Sequence, residues 1–346
     1  MTESPSPLTM LFSRHTRRRT FIAGLGSAAA WPVVARAQPS DRVRRVGVLM
    51  GFGDSDPEAK LWIARFTQGL SDLGWIVGRN LQMEARWAAD SSNDQMQIFA
   101  KELVNLQPDV ILSSSTVATD ALHRETRTIP VVFVIVSDPI GSGLVASLPR
   151  PGGNLTGFMY QEPTMVAKML QLLTEIAPGV KRAAIMFNPD TAPYTESYYL
   201  PPFKDAARAL KVEPITAPVH NDAEIERLVA SLGGEPGSGL IASPDRFMQI
   251  RRAPIISAAS RHSIPVIYSY TGAVRDGGLL SYGTDYANEF RRAAPYVDRI
   301  LRGANPAELP VQLPTKFGMA VNLQTAKSLG LPVPQSILLS ADEVIE

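Results

Sequence analysis

Short apolar runs alternate with longer amphipathic segments in the first half of the chain. Four apolar runs have the length of buried strands: 43–50, 81–88, 109–112 and 131–136. Three amphipathic segments between them have the period of helices: 57–73, 94–106 and one that opens at 113–116 and runs to about 124. This alternation is typical of a parallel sheet that is covered by helices.

A cluster of glycines and prolines at residues 149–154 interrupts the alternation, which then restarts. The second half has predicted strands at 182–187, 212–217, 239–242 and 264–268, and predicted helices within 194–210, 222–232 and 247–262. A strongly amphipathic helix follows at 285–301, and the tail carries a strand at 316–322 and a helix at 324–329. Two similar halves that are joined by a breaker predict an α/β fold with two doubly wound lobes.

The first 37 residues form a predicted export signal. Three arginines at 17–19 precede an apolar run at 23–34, and the Ala-Arg-Ala segment that ends at Ala37 resembles a cleavage site. The apolar run is too short to anchor the chain in a bilayer, so we expect cleavage after Ala37. The arginine pair followed by x-Phe-Ile resembles a twin-arginine signal, which would mean export after folding; a general secretory signal is the alternative.

Composition and charge narrow the classes of function. The chain has 346 residues, enough for two lobes, of which 45% are hydrophobic and 19% charged. Removing residues 1–37, which hold five arginines and one glutamate, lowers the formal net charge from +1 to −3. A mildly acidic mature chain without a basic stripe argues against nucleic-acid binding. No later apolar run is long enough for a membrane span, and the lack of cysteine excludes disulfides, thiolate metal ligands and a lipid anchor on cysteine.

Small polar residues lie at the carboxyl ends of several predicted strands. They are Ser114, Ser115 and Thr116, then Ser137 and Asp138, and in the second half Asn188, Ser243 and Asp245. Ligands of open α/β sheets bind at these ends, where the backbone amides of helix N termini also point outward. Hydroxyls and amides suit a ligand carboxylate, and an acidic side chain such as Asp245 suits an ammonium group. Helix capping is the alternative explanation for each single residue, so the predicted cleft depends on their number across both halves.

Sequence motifs of catalysis are absent from the chain. There is no G-x-S-x-G elbow, H-E-x-x-H pair, Walker loop or G-x-G-x-x-G after a strand, and the histidines show no ligand spacing. We therefore expect no catalytic residue, no metal and no cofactor. The three tyrosines Tyr194, Tyr198 and Tyr199 are predicted either to line a binding pocket or to pack on a helix face.

Three stretches of the chain resemble a known family. They are residues 131–158 (VVFVIVSDPIGSGLVASLPRPGGNLTGF), residues 261–268 (RHSIPVIY) and residues 277–346, which begin GGLLSYGTDYANEF. They are similar to the ABC-transporter substrate-binding proteins of the tryptophan/tyrosine-binding-like family, and the likeness runs over essentially the whole mature chain. It implies a type 1 periplasmic-binding fold, with two lobes that are joined by three crossovers and close on a ligand by a hinge.

The resemblance also implies lobe boundaries and a function. The N-terminal lobe would comprise residues 42–156 and 285–303, and the C-terminal lobe residues 157–281 and 306–346. Tyr268 would join the strand-end residues in the cleft. The chain would be a monomeric periplasmic component of an ABC importer that captures a small polar or aromatic amino-acid-like molecule and passes it to permease subunits in the inner membrane. A periplasmic sensor for a membrane histidine kinase is the alternative, and an exported enzyme is disfavoured by the missing motifs.

Overall fold

The computed structural model describes residues 42–88 and 93–346, so the predicted export signal lies outside the described residues. The first lobe is built on a five-stranded parallel sheet in the order β2-β1-β3-β4-β5. Its strands are β1 (Arg44–Met50), β2 (Leu81–Trp87), β3 (Val110–Ser114), β4 (Val131–Val136) and β5 (Leu155–Met159). Strands β3 and β4 are buried along their whole length, as expected for a parallel sheet that is covered on both faces.

Four helices pack on this sheet. They are α1 (Pro57–Asp72), α2 (Asn93–Asn105), α3 (Thr116–Glu125) and, from much later in the chain, α11 (Tyr286–Leu301). Helix α1 begins at Pro57 because the carboxylate of Asp56 accepts a hydrogen bond from the backbone N–H of Glu58. The predicted apolar stripe of α11, which includes Phe290 and Val297, is buried, and α11 packs against α1.

The second lobe is built on a seven-stranded sheet in the order β12-β11-β10-β9-β8-β6-β7. Its strands are β6 (Arg182–Phe187), β7 (Glu213–Pro218), β8 (Ser238–Ala242), β9 (Val266–Tyr268), β10 (Leu280–Thr284), β11 (Phe317–Asn322) and β12 (Glu343–Ile345). All neighbouring strands pair in parallel except β10 and β11, which are antiparallel.

The second lobe contains most of the remaining helices. They are α4 (Met165–Ile176), α5 (Thr195–Tyr198), α6 (Leu200–Leu210), α7 (Asp222–Gly233), α8 (Arg246–Ile250), α9 (Arg252–Arg261), α10 (Gly272–Arg275), α12 (Leu323–Ser328) and α13 (Gln335–Ser340). Among the residues that the structure describes, the longest helices are α1 and α11, with 16 residues each. Within residues 42–88 and 93–346, no helix combines the length and the apolar character of a membrane span.

The chain passes between the two sheets three times. It leaves the first sheet after β5, returns from β10 into α11, and crosses again from α11 to β11. Each lobe is therefore assembled from segments that are far apart in the sequence. Two parallel-sheet lobes with three crossovers confirm the predicted fold class.

Two elements next to the first crossover, β5 and α4, fall in residues 155–181, to which the hydrophobic pattern assigned nothing. Seven of the twelve residues of α4 are buried and recur at the spacing of an amphipathic helix, so the sequence carried a helical signal here that was not recognised. Strand β5 directly follows the glycine-proline cluster and contains Gly157. A Cβ at Gly157 would lie 2.0 Å from the carbonyl oxygen of Phe133, and φ is +154°. Only glycine therefore lets β5 pair with β4 at this point.

Candidate functional site

A small cavity lies between the lobes, where the carboxyl ends of strands from both sheets meet. It encloses about 10 Å³, room for roughly one water molecule. Its lining comprises Phe52, Ser115, Thr116, Val117 and Ile135 from the first lobe, Tyr160 from the first crossover, and Thr191, Tyr194, Pro244, Arg246 and Gln249 from the second lobe. Both lobes therefore contribute side chains to one site, as is typical of ligand sites in α/β folds.

The turn between β3 and α3 forms the wall on the first lobe. The hydroxyl of Ser115 caps α3 by accepting from the backbone N–H of Ala118 at 3.3 Å, and its own N–H donates to the carbonyl of Val134 at 3.1 Å. The backbone of Ser115 has φ +92° and ψ 158°, a region that is essentially restricted to glycine. Ile135, which also lines the cavity, has a positive φ of 59°. Two residues of this wall therefore have backbone conformations that are unfavourable for a side chain.

Hydroxyl groups connect this wall to the next strand end and to the second lobe. Thr116 Oγ1 accepts from the backbone N–H of Ser137 at 3.1 Å. The hydroxyls of Ser137 and Tyr199 lie 2.9 Å apart, so one of them donates to the other across the lobe boundary. Asp138 instead accepts from the N–H of Gly141 at 2.9 Å and closes its own turn. Ser137 therefore joins the lobes, and Asp138 lies outside the cavity lining.

Asp245 organises the wall on the second lobe. Its carboxylate accepts from the backbone N–H of Asn188 at 2.9 Å, from that of Phe247 at 3.0 Å and from the hydroxyl of Thr191 at 2.7 Å. Desolvation raises the pKa of this buried carboxyl to about 6, although the three donors act in the opposite direction. Asp245 thereby ties the end of β6 to the start of α8 and holds Thr191 in the lining.

Arg246 reaches across the cleft from the second lobe to the first. Its Nη2 donates to the carbonyl of Ala88 at 2.9 Å, and its Nε donates to the carbonyl of Gly51. The side chain is 95% buried. These bonds join the lobes directly at the cavity, so they exist only while the lobes are together.

Tyr194 covers the cavity from the second lobe. Burial raises the pKa of its phenol above the ordinary value, with a further contribution from the charge of Asp245; the nearby hydroxyls of Ser137 and Thr116 oppose the rise. The phenol is therefore neutral over the physiological range. It presents a ring and a hydroxyl to the strand ends of the first lobe.

A chain of hydrogen bonds links the cavity to the crossovers. Gln249 Nε2 donates to the hydroxyl of Tyr286 at 2.5 Å and to that of Tyr160 at 3.4 Å. Tyr160 in turn donates to the carbonyl of Ser269 at 2.9 Å, and Thr284 donates to the carbonyl of Tyr160. Because Tyr160 and Thr284 border two of the three crossovers, the cavity and these crossovers are parts of one bonded network.

Of the residues that the sequence placed in the cleft, Ser115, Thr116 and Tyr194 line the cavity. Ser137 and Asp245 lie one hydrogen bond behind the lining, since Ser137 binds Thr116 and Asp245 binds Thr191. These two sets meet at the lobe boundary, where the strand-end rule expects a ligand.

The remaining predicted residues lie outside the lining. Asn188 donates its backbone N–H to Asp245, and its side chain accepts from the N–H of Asp190 at 2.8 Å. Ser114 and Ser243 are fully buried, and among the described residues their hydroxyls have no hydrogen-bond partner. Tyr268 is buried in the core of the second lobe.

Several lining residues were missed by sequence reasoning. Phe52 follows β1 at the same sheet edge, so the strand-end rule would have found it if apolar residues had been considered. Arg246 directly follows the selected Ser243–Asp245 segment and precedes the predicted helix at 247–262, so it was assigned to neither. No local signal marks Tyr160, which the first crossover brings to the cavity. Within the described ranges, no group of three or more His, Asp or Glu side chains is placed to hold a metal ion.

Two facing α/β lobes, three crossovers and a cavity at the strand ends define a ligand-binding protein of the type 1 periplasmic-binding fold. The model of the ABC transporter substrate binding protein family matches residues 55–345, and the chain belongs to this family. Members of the family bind their substrates and do not transform them, in agreement with the expectation of a binding protein. The resemblance seen in the sequence is confirmed at the level of the family.

Three known proteins illustrate the likeness. The tyrosine-binding protein of Clostridioides difficile (strain R20291) is 27% identical over 282 residues, which are 81% of this chain and 78% of the relative. The structure of a conserved domain protein from Vibrio cholerae O1 biovar eltor is 27% identical, with a TM-score of 0.79 over 88% of this chain and 100% of that chain. The structure of an ABC domain from Streptococcus pneumonia in complex with L-Trp is 24% identical, with a TM-score of 0.79 over 87% of this chain and 99% of that chain.

Proposed function

We propose that the chain is the extracytoplasmic solute-binding component of an ABC importer and that it captures a polar or aromatic amino-acid-like ligand between its lobes. The cavity that both lobes line carries this proposal, because a ligand there contacts both walls at once. The ligand class is supported by the relatives, of which one is a tyrosine-binding protein and another was solved with L-Trp.

Ligand entry requires the lobes to separate. The cavity of about 10 Å³ is far smaller than ligand pockets, which span roughly 300–1,000 Å³. A ligand therefore enters an opened cleft and shifts the equilibrium toward a closed form whose cavity is wide enough to hold it, because the ligand then contacts both lobes. The bonded network of Gln249, Tyr160 and Tyr286 lies where such a motion would pivot.

Roles for the polar residues follow from their positions. Ser115 and Thr116, with Ser137 beside them, would hold a ligand carboxylate through hydroxyl donors. Thr191 donates its proton to Asp245, which leaves the lone pairs of its hydroxyl oxygen to accept from a ligand ammonium. In this arrangement Asp245 acts through Thr191 and supplies the negative charge behind it. The ring of Tyr194 would cover an apolar or aromatic part of the ligand.

We also propose that residues 1–37 are an export signal that is removed after Ala37. The mature protein would then work in the periplasm, as a monomer, and deliver its ligand to permease subunits in the inner membrane. The arginines and the apolar run of the signal support export, and family membership supports the importer as partner.

Calorimetry on the mature protein, freed of ligand by unfolding and refolding, tests the ligand class. We expect L-tyrosine, L-tryptophan or L-phenylalanine to bind and D-ribose to give no heat. Tyr194→Phe removes one hydroxyl from the cavity and should weaken binding about twofold to tenfold, because a neutral hydrogen bond contributes about 0.5–1.5 kcal/mol. Tyr282→Phe removes a hydroxyl outside the cavity lining and should bind as wild type. No heat with any of the three amino acids would rule out the aromatic amino acids as ligands.

A further inference from the structure

A second contact between the lobes lies beside the start of α1. Trp62 of the first lobe meets Tyr270 of the second, with ring centroids 6.0 Å apart, and Tyr270 stacks on Tyr286 at 5.7 Å. A cavity of about 230 Å³ borders these rings and shares no lining residue with the ligand cavity. This contact is therefore separate from the proposed ligand site.

Two arginines of the second lobe reach acidic residues at the start of α1. Arg252 Nη1 lies 3.1 Å from Asp56 Oδ2, with 16% and 12% of the two side chains exposed. Arg275 Nη1 donates to Glu58 Oε1. The guanidinium of Arg252 also lies over the ring of Tyr270, 5.8 Å from its centroid. The ion pairs thus flank the aromatic contact.

The charges are divided between the lobes. In these two pairs, the acids belong to the first lobe and the cations to the second, so the attraction acts only across the lobe boundary. The acids also lie at the N-terminal turn of α1, where the helix dipole favours negative charge. The pairs therefore favour the closed form.

Each arginine also keeps a carboxylate of its own lobe. Arg252 Nε donates to Asp276 Oδ2 at 2.6 Å, and Arg275 Nη2 donates to Glu343 Oε2 at 2.6 Å. When the lobes separate, neither guanidinium loses all of its counter-ions. The cost of opening is thereby limited, as a reversible closure requires.

We propose that Asp56–Arg252 and Glu58–Arg275 form an ionic clamp that stabilises the closed form and sets ligand affinity from outside the ligand cavity. This inference rests on the proposed binding of a ligand between the lobes. Affinity depends on the fraction of protein that reaches the closed form, so loss of the clamp raises the dissociation constant. Added salt weakens the clamp because partly exposed charges are screened.

Closure is measured directly with two spin labels. The chain has no cysteine, so labels attach only where cysteines are introduced. Asn93→Cys and Asp190→Cys place one label on each lobe at a point of contact, since Asn93 Nδ2 donates to the carbonyl of Asp190 at 3.4 Å. Dipolar broadening between the labels then reports closure, with or without ligand.

Removal of both arginines should open the protein. Arg252→Gln combined with Arg275→Gln should reduce the broadening and raise the dissociation constant of the amino acid roughly fivefold to fiftyfold. Raising the salt concentration from about 20 to about 500 mM should reduce closure in the wild type and change the double variant little. Arg261→Gln is the matched control: it lies at the other end of α9, pairs with Glu226 of its own lobe, and should behave as wild type.

If the double variant shows the same broadening and the same salt dependence as the wild type, the proposed clamp is wrong. If the wild type binds no amino acid, the proposed function fails, whereas the broadening without ligand still decides the clamp. If the double variant does not fold, two milder variants decide. Glu58→Gln should lose part of the broadening, and Arg252→Lys, which keeps the charge, should retain most of it; the opposite pattern contradicts the clamp.

Discussion

We predict that Ser115→Gly stabilises the protein even though it removes a helix cap. Ser115 has φ +92° and ψ 158°, a conformation that costs a non-glycine residue about 1–3 kcal/mol. Glycine removes this cost and loses only a few tenths of a kcal/mol at a cap position. Its freer unfolded chain costs a further ~0.4–1 kcal/mol. The expected net gain in the free energy of unfolding is about 1 kcal/mol.

Ser115→Ala separates the strain from the cap. Alanine keeps the Cβ and hence the strain, but it loses the bond from the N–H of Ala118 to the Ser115 hydroxyl. We expect a loss of about 1 kcal/mol, the usual cost of removing such a cap. Both variants also remove a hydroxyl from the cavity, so both should weaken a carboxylate ligand by about tenfold. Stability and affinity should therefore change in opposite directions only in Ser115→Gly.

Urea unfolding of the mature protein without ligand, followed by circular dichroism, measures the three free energies. The expected order is Ser115→Gly above wild type and wild type above Ser115→Ala. Equal losses in the two variants would refute the role of strain, because they would show that the hydroxyl alone matters.

Two further predictions concern stability. Burial raises the pKa of Asp245 to about 6, so the folded protein keeps this proton to a higher pH than the unfolded chain does. The free energy of unfolding should thus fall by about 2 kcal/mol as pH rises from ~4 to ~6. Asp245→Asn, though less stable at pH 4, should flatten that slope in unfolding experiments; an unchanged slope contradicts the assignment. Gly157→Ala would place a Cβ 2.0 Å from the carbonyl oxygen of Phe133. Urea unfolding should show a loss of at least about 3 kcal/mol in the free energy of unfolding, or the variant should not fold. A loss below about 1 kcal/mol would show that β5 can move away from β4.

The hydrophobic pattern predicted the strands well because a buried parallel strand is a short apolar run between polar turns. It failed at α4, whose helical spacing was not recognised, and at β5, where Gly157 indicated a turn. The strand-end rule was right about the edge of the sheet, but it contains no information about the direction of a side chain. Asp138 therefore turned out to close its own turn.

The rest of the site depends on how the lobes face each other, which no local pattern encodes. Arg246 reaches the carbonyl groups of Gly51 and Ala88, which are 195 and 158 residues away in the chain. Tyr160 enters the cavity only because the first crossover passes beside it. Such residues are visible only once both lobes have been placed.

The position of α11 in the first lobe determines when that lobe can fold during synthesis. Trp75 Nε1 donates to Asp298 Oδ1 at 2.8 Å, a bond between residues 223 positions apart. At about 5–20 residues per second, the ribosome needs roughly 10–45 s to make the intervening chain. During that time the apolar face of α1, with Trp62 and Phe66, lacks the helix that covers it. The nascent chain therefore exposes an apolar surface until nearly all of it has been translated, and we expect chaperones to bind it during that time.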